Sequence, residues 1–450
     1  MATNLLLVGN GAREHAIAKS ICKSPDVKLF AYINAKNPGI IGLCAKSGGE
    51  FEIGDIENGV EIAKWAKEKN IDLAFPSPDA VLAAGVTDEL EKAKIMAPAP
   101  TKAAARLEWD KKYLRQLMEK YKIEGCPKFK HFENEKGIDE FVDELQGNVA
   151  IKPVGLTGGK GVAVTGFQLK GGEEAKAYAK EVIGKKVGGS GGVVIEEKLE
   201  GEEFTLMAFC DGKNMAGMPA VQDHKRAFEN DTGPNTGGMG SYCDDGMILP
   251  FLKQDDYDKA IAIMKKIMDA LKKDSGEEYK GVMYGQFMAT KDGVGVIEIN
   301  ARFGDPEAMN VLAVLKNPLV DILEKIAQGK LDEIKIEWEE STSVVKYLVP
   351  VGYPKETVPP FPIGIDHERL KRSGAELFFA SVDEKEGQIF SGKSRAIAVL
   401  GKGESINRAQ EVAEEGCKSI TGMLWHRRDI GTPNLLQKRI EHMQMLRKKY

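Results

Sequence analysis

The sequence predicts a multidomain protein of α/β and α+β class, with a parallel α/β domain at its N-terminus and an α+β region at its C-terminus. Three observations carry this expectation. The chain has 450 residues, enough for about three domains at roughly 100–200 residues each. Its first 100 residues alternate short apolar runs with helically spaced ones, the pattern of βα units that build a parallel sheet covered by helices. The segment Pro98-Ala99-Pro100 then breaks the pattern, and strand pairs mixed with separate helices follow.

Taken in order, Leu5–Val8 is a continuous apolar run and reads as a buried strand. Ala12–Cys22 places Ala16, Ile17 and Ile21 at helical spacing, and Lys28–Ile33 reads as a second strand. Glu61–Lys69 is an amphipathic helix, followed by strands at Ile71–Phe75 and Ile95–Ala97. Thr101 suits the N-cap of one long helix running to about Lys122. Strands at Val149–Lys152, Val162–Thr165 and Val193–Glu197 enclose a helix, Glu173–Ile183, as a small α+β unit. Helices follow at Asp255–Lys273 and Leu319–Gln328. Beyond Glu337, strands Val344–Val349 and Ala396–Leu400, a helix at Ser405–Lys418 and a helical tail after Pro433 complete the chain.

Composition excludes several classes. Lys+Arg 63 against Asp+Glu 68 gives a net charge of −5, so overall charge does not draw the chain to nucleic acid. The N-terminal apolar run spans Leu5 to Val8; a secretory core needs roughly 7–15 apolar residues and a membrane helix about 20. The six cysteines lack a C-x-x-C pair and the six histidines an H-x-x-x-H pair. Reduced thiols in a cytoplasmic protein without a zinc site are expected. Glycine is in excess, at 49 residues, and concentrates in short loops, where bare backbone approaches ligands.

The first such loop, Gly9-Asn10-Gly11-Ala12-Arg13-Glu14-His15, follows a strand and opens a helix. Amides and the positive end of a helix dipole suit an anion there; glycines that merely permit a tight turn are the alternative. An NAD fingerprint fails at Glu14, where its third glycine belongs, and at Ile33-Asn34, where its acidic residue is missing. The second loop runs from Gly155 through Gly158, Gly159, Lys160 and Gly161. It is not a P-loop, because Gly161 replaces Ser or Thr and a strand follows. A flap between two strands fits better, with Lys152 offering a point charge from below; an ordinary hairpin with an exposed Lys160 is the alternative.

Val294–Asn300 alternates, which puts Val294, Val296, Glu298 and Asn300 on one strand face. The preceding strand, Met283–Thr290, joins it through Lys291-Asp292-Gly293. Pairing outward from that loop sets Thr290 opposite Val294 and Gln286 opposite Glu298. Gln286, Glu298 and Asn300 then offer hard oxygens suited to Mg²⁺ carried in with a nucleotide's phosphates; a solvated sheet face is the alternative. Arg302, Asp305 and Glu307 follow at once, and mixed charge beside a metal set is what phosphoryl transfer needs. A third loop, Asn235-Thr236-Gly237-Gly238-Met239, follows Asp223-His224-Lys225-Arg226. Its successive amides and basic neighbours suit a compact phosphate ester; a surface turn with a solvated basic pair is the alternative.

Together these motifs resemble the ATP-grasp superfamily and, within it, the phosphoribosylamine–glycine ligase family. The resemblance runs over nearly the whole chain, through GNGAREHA, IKPVGLTGGKGV, VIEEKLEGEE, QDHKRAFENDTGPNTGGMGSY, VIEINARFGDPE and WHRRDIG. It implies an ATP-grasp core (101–125 and 200–335) with a small lid subdomain (126–199), flanked by an N-terminal α/β domain (1–100) and a C-terminal α+β domain (336–450). It also implies ATP with Mg²⁺ or Mn²⁺, the substrates glycine and 5-phosphoribosylamine, and a monomer or homodimer with no nucleic-acid or membrane partner. Lys111, Lys152 and the flap residues Gly158, Gly159, Lys160 and Gly161 would contact ATP phosphates. Glu196, Glu197 and Leu199 would meet adenine, Glu203 the ribose, and Gln286, Glu298 and Asn300 the metal. Gly9, Asn10, Gly11, Arg13 and Glu14, with Asp223, Lys225 and Asn235–Met239, would bind substrate, and Arg302, Asp305 and Glu307 would serve catalysis. The expected product is glycinamide ribonucleotide, formed through glycyl phosphate in purine biosynthesis. Another ATP-grasp carboxylate–amine ligase and a non-catalytic nucleotide-binding regulator remain as alternatives.

Overall fold

The computed structural model describes residues 2–155, 161–189 and 192–448. Near the N-terminus, strands Thr3–Val8, Val27–Ile33, Phe51–Ile53 and Leu73–Pro76 form a parallel sheet. Thr3–Val8 lies between Val27–Ile33 and Leu73–Pro76, and the buried side chains of its Leu5–Val8 run feed cores on both faces. The expected strand at Ile95–Ala97 does not form; Met96 makes only an isolated bridge to Leu73. Helix Pro38–Ser47, which the sequence reading lacked, is capped by Asn37, whose side chain accepts from the Gly39 and Ile40 amides. Gly39 is obligatory, since a Cβ there would stand 2.0 Å from Cε1 of His15. His15 in turn accepts a hydrogen bond at Nδ1 from the Phe379 amide (3.0 Å) and stacks on that ring, tying the first helix to the C-terminal part.

The long helix expected from Thr101 to Lys122 is broken. Thr101 caps only a turn, accepting from the Ala104 amide at 3.1 Å. Helix then occupies Arg106–Trp109 and, after Asp110, Lys111–Lys120. Asp110 has extended-side dihedrals, and its carboxylate accepts from the Tyr113 amide (2.9 Å). A short acid that satisfies an orphan amide restarts a helix better than it continues one.

Phe129–Phe132, Val193–Glu197, Val149–Pro153 and Ala163–Val164 make a separate antiparallel sheet in that order. Val149, Ile151, Val193 and Ile195 point into a small core with helices Ile138–Glu144 and Gly172–Gly184. The period-2 alternation of strands sends Lys152 and Glu196 to the other face.

The largest sheet is antiparallel and runs from Val294–Asn300 through Lys280–Ala289, Glu202–Asp211, Val221–Asp223, Gly240–Cys243, Thr342–Pro350 and Ile397–Gly403 to Glu376–Phe379. The C-terminal α+β part thus extends the same sheet, with Gly240 opposite Lys346. Helix Pro433–Lys448 returns to it through Arg439 to Glu202 (3.3 Å), and Arg447 pairs with Asp256 of helix Gln254–Ser275 (2.7 Å). Among the described residues no helix is long and apolar enough to cross a membrane, and all six cysteines are free thiols.

Candidate active site

The hairpin reaches its expected register by an unexpected route. Near the loop the pairs are Ala289 with Val294 and Phe287 with Val296, one residue off the expected pairing. A β-bulge at Ile297 then restores the count, so Gln286 faces Glu298 and Tyr284 faces Asn300. The bulge also corrects the expected face. Partners across a sheet share a face, so Val294 and Val296 side with Ala289 and Phe287. Glu298 and Asn300 turn to the opposite side, with Gln286. An inserted residue re-aims every side chain beyond it.

Strand Val294–Asn300 is the edge of its sheet, and its carbonyls near the bulge take side chains from elsewhere. Arg115, fully buried, donates Nη2 to the carbonyls of Val296 and Ile297, both at 2.9 Å. It also makes a two-point contact with Glu196, at 2.6 and 2.8 Å. Lys152 completes the cluster, 2.7 Å from Glu196 Oε2 and 2.7 Å from the Ile297 carbonyl. Burial and its cationic partners act oppositely on Glu196; the Arg115 and Lys152 charges win and hold it below the usual carboxylate range. Burial lowers Lys152, with Glu196 offsetting in part. Lys111 donates to the Gly155 carbonyl at 2.9 Å. Glu108, Lys111, Arg115, Lys152, Glu196 and Glu298 line one narrow cleft.

Glu298 is the pivot. Burial alone would raise its carboxyl, but Lys225, Lys111 and Lys152, with a hydrogen bond from Asn300, bring it down to about 2. Asn300 Nδ2 donates to Glu298 Oε1 at 3.2 Å, and its Oδ1 accepts from Arg302 at 3.4 Å. Gln286 donates to Glu203 Oε2 at 2.8 Å and accepts at Oε1 from Lys225. The three side chains gathered by the hairpin therefore comprise one ionised carboxylate and two amide oxygens, each oxygen already drawing a cation. Such a donor set fits a hard divalent ion that completes its shell with phosphate oxygens. The three lysines that bear on Glu298 offer cations to a polyphosphate.

The N-terminal loop meets the segment after Asn300. Arg13 donates to Glu14 Oε1 (2.6 Å) and to the Phe303 carbonyl (3.1 Å), and Ser77 donates to the same Glu14 oxygen (2.7 Å). Gly9, at φ +129°, leaves the room that Pro78 and Glu14 fill, and a Cβ on Gly11 would stand 2.7 Å from Glu14 Oε2. Asn10 Oδ1 is buried without a partner. Arg302 pairs with Glu108 at 3.0 Å; burial would lower its pKa, but Glu108 and Asp79 raise it. Asp305 accepts from Tyr347 (2.5 Å) and Arg395 (3.0 Å), and Glu307 accepts from Tyr284 (2.9 Å) and Thr205 (3.1 Å).

The glycine loop is less open than expected. Thr236 donates its amide to the Lys225 carbonyl (2.7 Å), Gly238 to Thr236 Oγ1 (3.0 Å) and Met239 to the His224 carbonyl (2.8 Å). Asn235 lies in a two-strand ribbon opposite Arg226, and the Met239 side chain is fully buried in the core. Arg395 grips the carbonyls of Gly237 (2.8 Å) and Gly238 (2.9 Å). Glu197 accepts from the Lys128 amide (2.7 Å), and Leu199 packs where a Gly295 Cβ would be. Gly161 accepts from Tyr178 (2.9 Å); Gly158, Gly159 and Lys160 lie outside the described residues. The sequence reading missed Arg115, Arg395, Glu108 and Ser77, none of which sits in a motif it singled out.

A small antiparallel sheet carrying Lys152, set against a larger sheet carrying the acid–amide trio, is the arrangement of an ATP-grasp enzyme. Models of the phosphoribosylglycinamide synthetase N domain, ATP-grasp (A) domain and C domain match residues 3–108, 109–308 and 343–433. The chain is 48% identical over 440 residues to phosphoribosylamine–glycine ligase of Methanobrevibacter smithii, covering 98% of this chain and 99% of that relative. It superposes on a crystal structure of phosphoribosylamine–glycine ligase from Thermotoga maritima with a TM-score of 0.78 at 27% identity, covering 95% of this chain and 100% of that one. The biotin carboxylase domain of Hydrogenobacter thermophilus 2-oxoglutarate carboxylase shares the fold alone, with a TM-score of 0.70 at 14% identity and coverage of 99% and 94%. The chain belongs to the phosphoribosylamine–glycine ligase family and is an ATP-dependent ligase.

Proposed function

We propose that the chain joins glycine to 5-phosphoribosylamine with ATP, giving glycinamide ribonucleotide, ADP and phosphate through glycyl phosphate, in de novo purine synthesis in the cytosol. The supporting observation is the field of Lys111, Lys152 and Lys225 around an ionised Glu298, beside a substrate wall that joins the N-terminal loop to the segment from Arg302 to Glu307. A glycine carboxylate oxygen attacks the γ-phosphorus, the bond to the β–γ bridging oxygen breaks, and ADP leaves. The amine then attacks the acyl carbon and phosphate departs. No side chain serves as nucleophile, so the protein's contribution is alignment and charge stabilisation.

Lys111 and Lys152 neutralise the ATP phosphates, the Glu196, Glu197 and Leu199 segment borders adenine, and Glu203 takes the ribose. Gln286, Glu298 and Asn300 would hold Mg²⁺ or Mn²⁺, which would supply neutralisation of phosphate charge. Arg302 steadies the developing charge, held in place by Glu108. Asn10, Arg13, Asp223, Lys225 and Gly237 face the substrates. The four-part division given above and a monomeric or dimeric state belong to the same reading.

Phosphate release measured with ATP, glycine and freshly prepared phosphoribosylamine, omitting each in turn, tests it. Release should require all three. Release without glycine, or with another carboxylate in its place, would overturn the assignment.

A further inference from the structure

Resting on that reading, we propose that Asp223 accepts the proton of the phosphoribosylamine amine as the amide bond forms. Asp223 ends strand Val221–Asp223, opposite Ser241. Its Oδ1 is buried and has no hydrogen-bond partner among the described residues. Two site segments close on this carboxyl through one glycine. Gly238 has φ +111°, and a Cβ there would stand 2.6 Å from Asp223 Oδ1 and 2.7 Å from Pro306 Cδ. A buried oxygen left without a donor is costly, and a substrate N–H is the donor the reaction brings.

Elimination points the same way. Glu307 is held by Tyr284 and Thr205, and Asp305 by Tyr347 and Arg395. Glu203 is held by Gln286, Glu298 by Asn300, and Glu14 by Arg13 and Ser77. The charges facing Asp223 are Glu307, Lys225, Arg395 and Glu203. Burial first, then Glu307, raises its carboxyl well above the ordinary range, which strengthens it as a base. Its neighbour His224 also has unpartnered ring nitrogens. That ring packs by Tyr242 (5.7 Å) among Arg427, Asp231, Arg439 and Asp429. Burial lowers it to about 3, so near neutrality it is an uncharged imidazole and a weak base.

The step balances. The nitrogen lone pair forms the C–N bond, the acyl C–O bond to phosphate breaks with its electrons leaving on phosphate, and one N–H proton passes to the Asp223 carboxylate. Asp223 then returns the proton to solvent or phosphate.

Trapping glycyl phosphate with hydroxylamine separates the two steps. Asp223→Asn should cut the complete reaction about 100-fold or more while glycine hydroxamate formation stays within about threefold of wild type. The acid limb of the kcat/KM profile, where protonation silences the base, should vanish in Asp223→Asn, and Asp223→Glu should recover part of the rate. Both steps falling together, neither falling, or His224→Gln reproducing the same pattern would overturn the proposal. Wild-type protein that yields no hydroxamate would instead remove the glycyl phosphate reading beneath it, and the proposal with it.

Discussion

Glu298→Gln isolates the charge on which the site turns, because it keeps shape and one oxygen while removing an anion. In the folded protein Glu298 stands at about 2 against an ordinary 4.5. At about 1.4 kcal/mol per unit the shift is worth roughly 3 kcal/mol, an upper figure since water screens a partly accessible carboxylate. The depressed value fixes the sign. The contribution is complete above pH 4.5 and is lost as pH falls towards 2. Glu298→Gln should therefore melt about 6–12 °C below wild type at pH 7, at roughly 2–4 °C per kcal/mol for a unit of about 200 residues. The gap should stay constant down to about pH 5 and narrow below it. Calorimetry across that range measures it. Nucleotide binding gives the companion readout: metal-free ATP should bind at least as tightly, facing the three lysines with one carboxylate fewer, whereas stimulation by Mg²⁺ should disappear and ADP formation fall by about 100-fold or more. Wild-type melting at pH 7, or intact Mg²⁺ stimulation, would refute the reasoning.

Three further outcomes follow from the same contacts. Arg302→Ala leaves Glu108 buried and unpaired; the rate should drop at least about 100-fold, and Arg302→Lys, lacking the planar fork, should not restore it in steady-state assays. Arg115→Met strips Glu196 of its two-point partner and leaves the Val296 carbonyl bare, a loss of about 3–5 kcal/mol that should appear in thermal melts together with weakened ATP binding. Arg395→Ala releases the Gly237 and Gly238 carbonyls and Asp305; the KM for phosphoribosylamine should rise by about tenfold or more with ATP affinity unchanged, read by varying one substrate at a time.

Much of the fold was legible where local signals agree with tertiary need. Leu5–Val8, Val193–Glu197 and the Val294–Asn300 hairpin are apolar or alternating runs bounded by turn residues, and all are strands. Helix Pro38–Ser47 was hidden because Gly39 and Gly42 weaken the periodicity, although its caps, Asn37 and Gly48, were in plain view. Only the ring of His15, far away in sequence, explains Gly39. The grouping of Gln286, Glu298 and Asn300 was readable from residue type and spacing, but the bulge at Ile297 was not, and the right pairing of Gln286 with Glu298 came with the wrong face for Val294 and Val296. Arg115 and Arg395 were invisible for a simpler reason. An isolated arginine on a helix or in a loop carries no spacing signal, and its role exists only once distant carbonyls converge on it.

The pairing of Gly240–Cys243 with Thr342–Pro350 has a practical consequence for anyone dividing this protein into fragments. Cutting the chain between residues 335 and 341 would not release a self-contained unit. Each half would display a raw, hydrogen-bond-hungry strand edge from the middle of a sheet, so separate expression should yield sticky, insoluble pieces, and the two halves should recover solubility only when produced together.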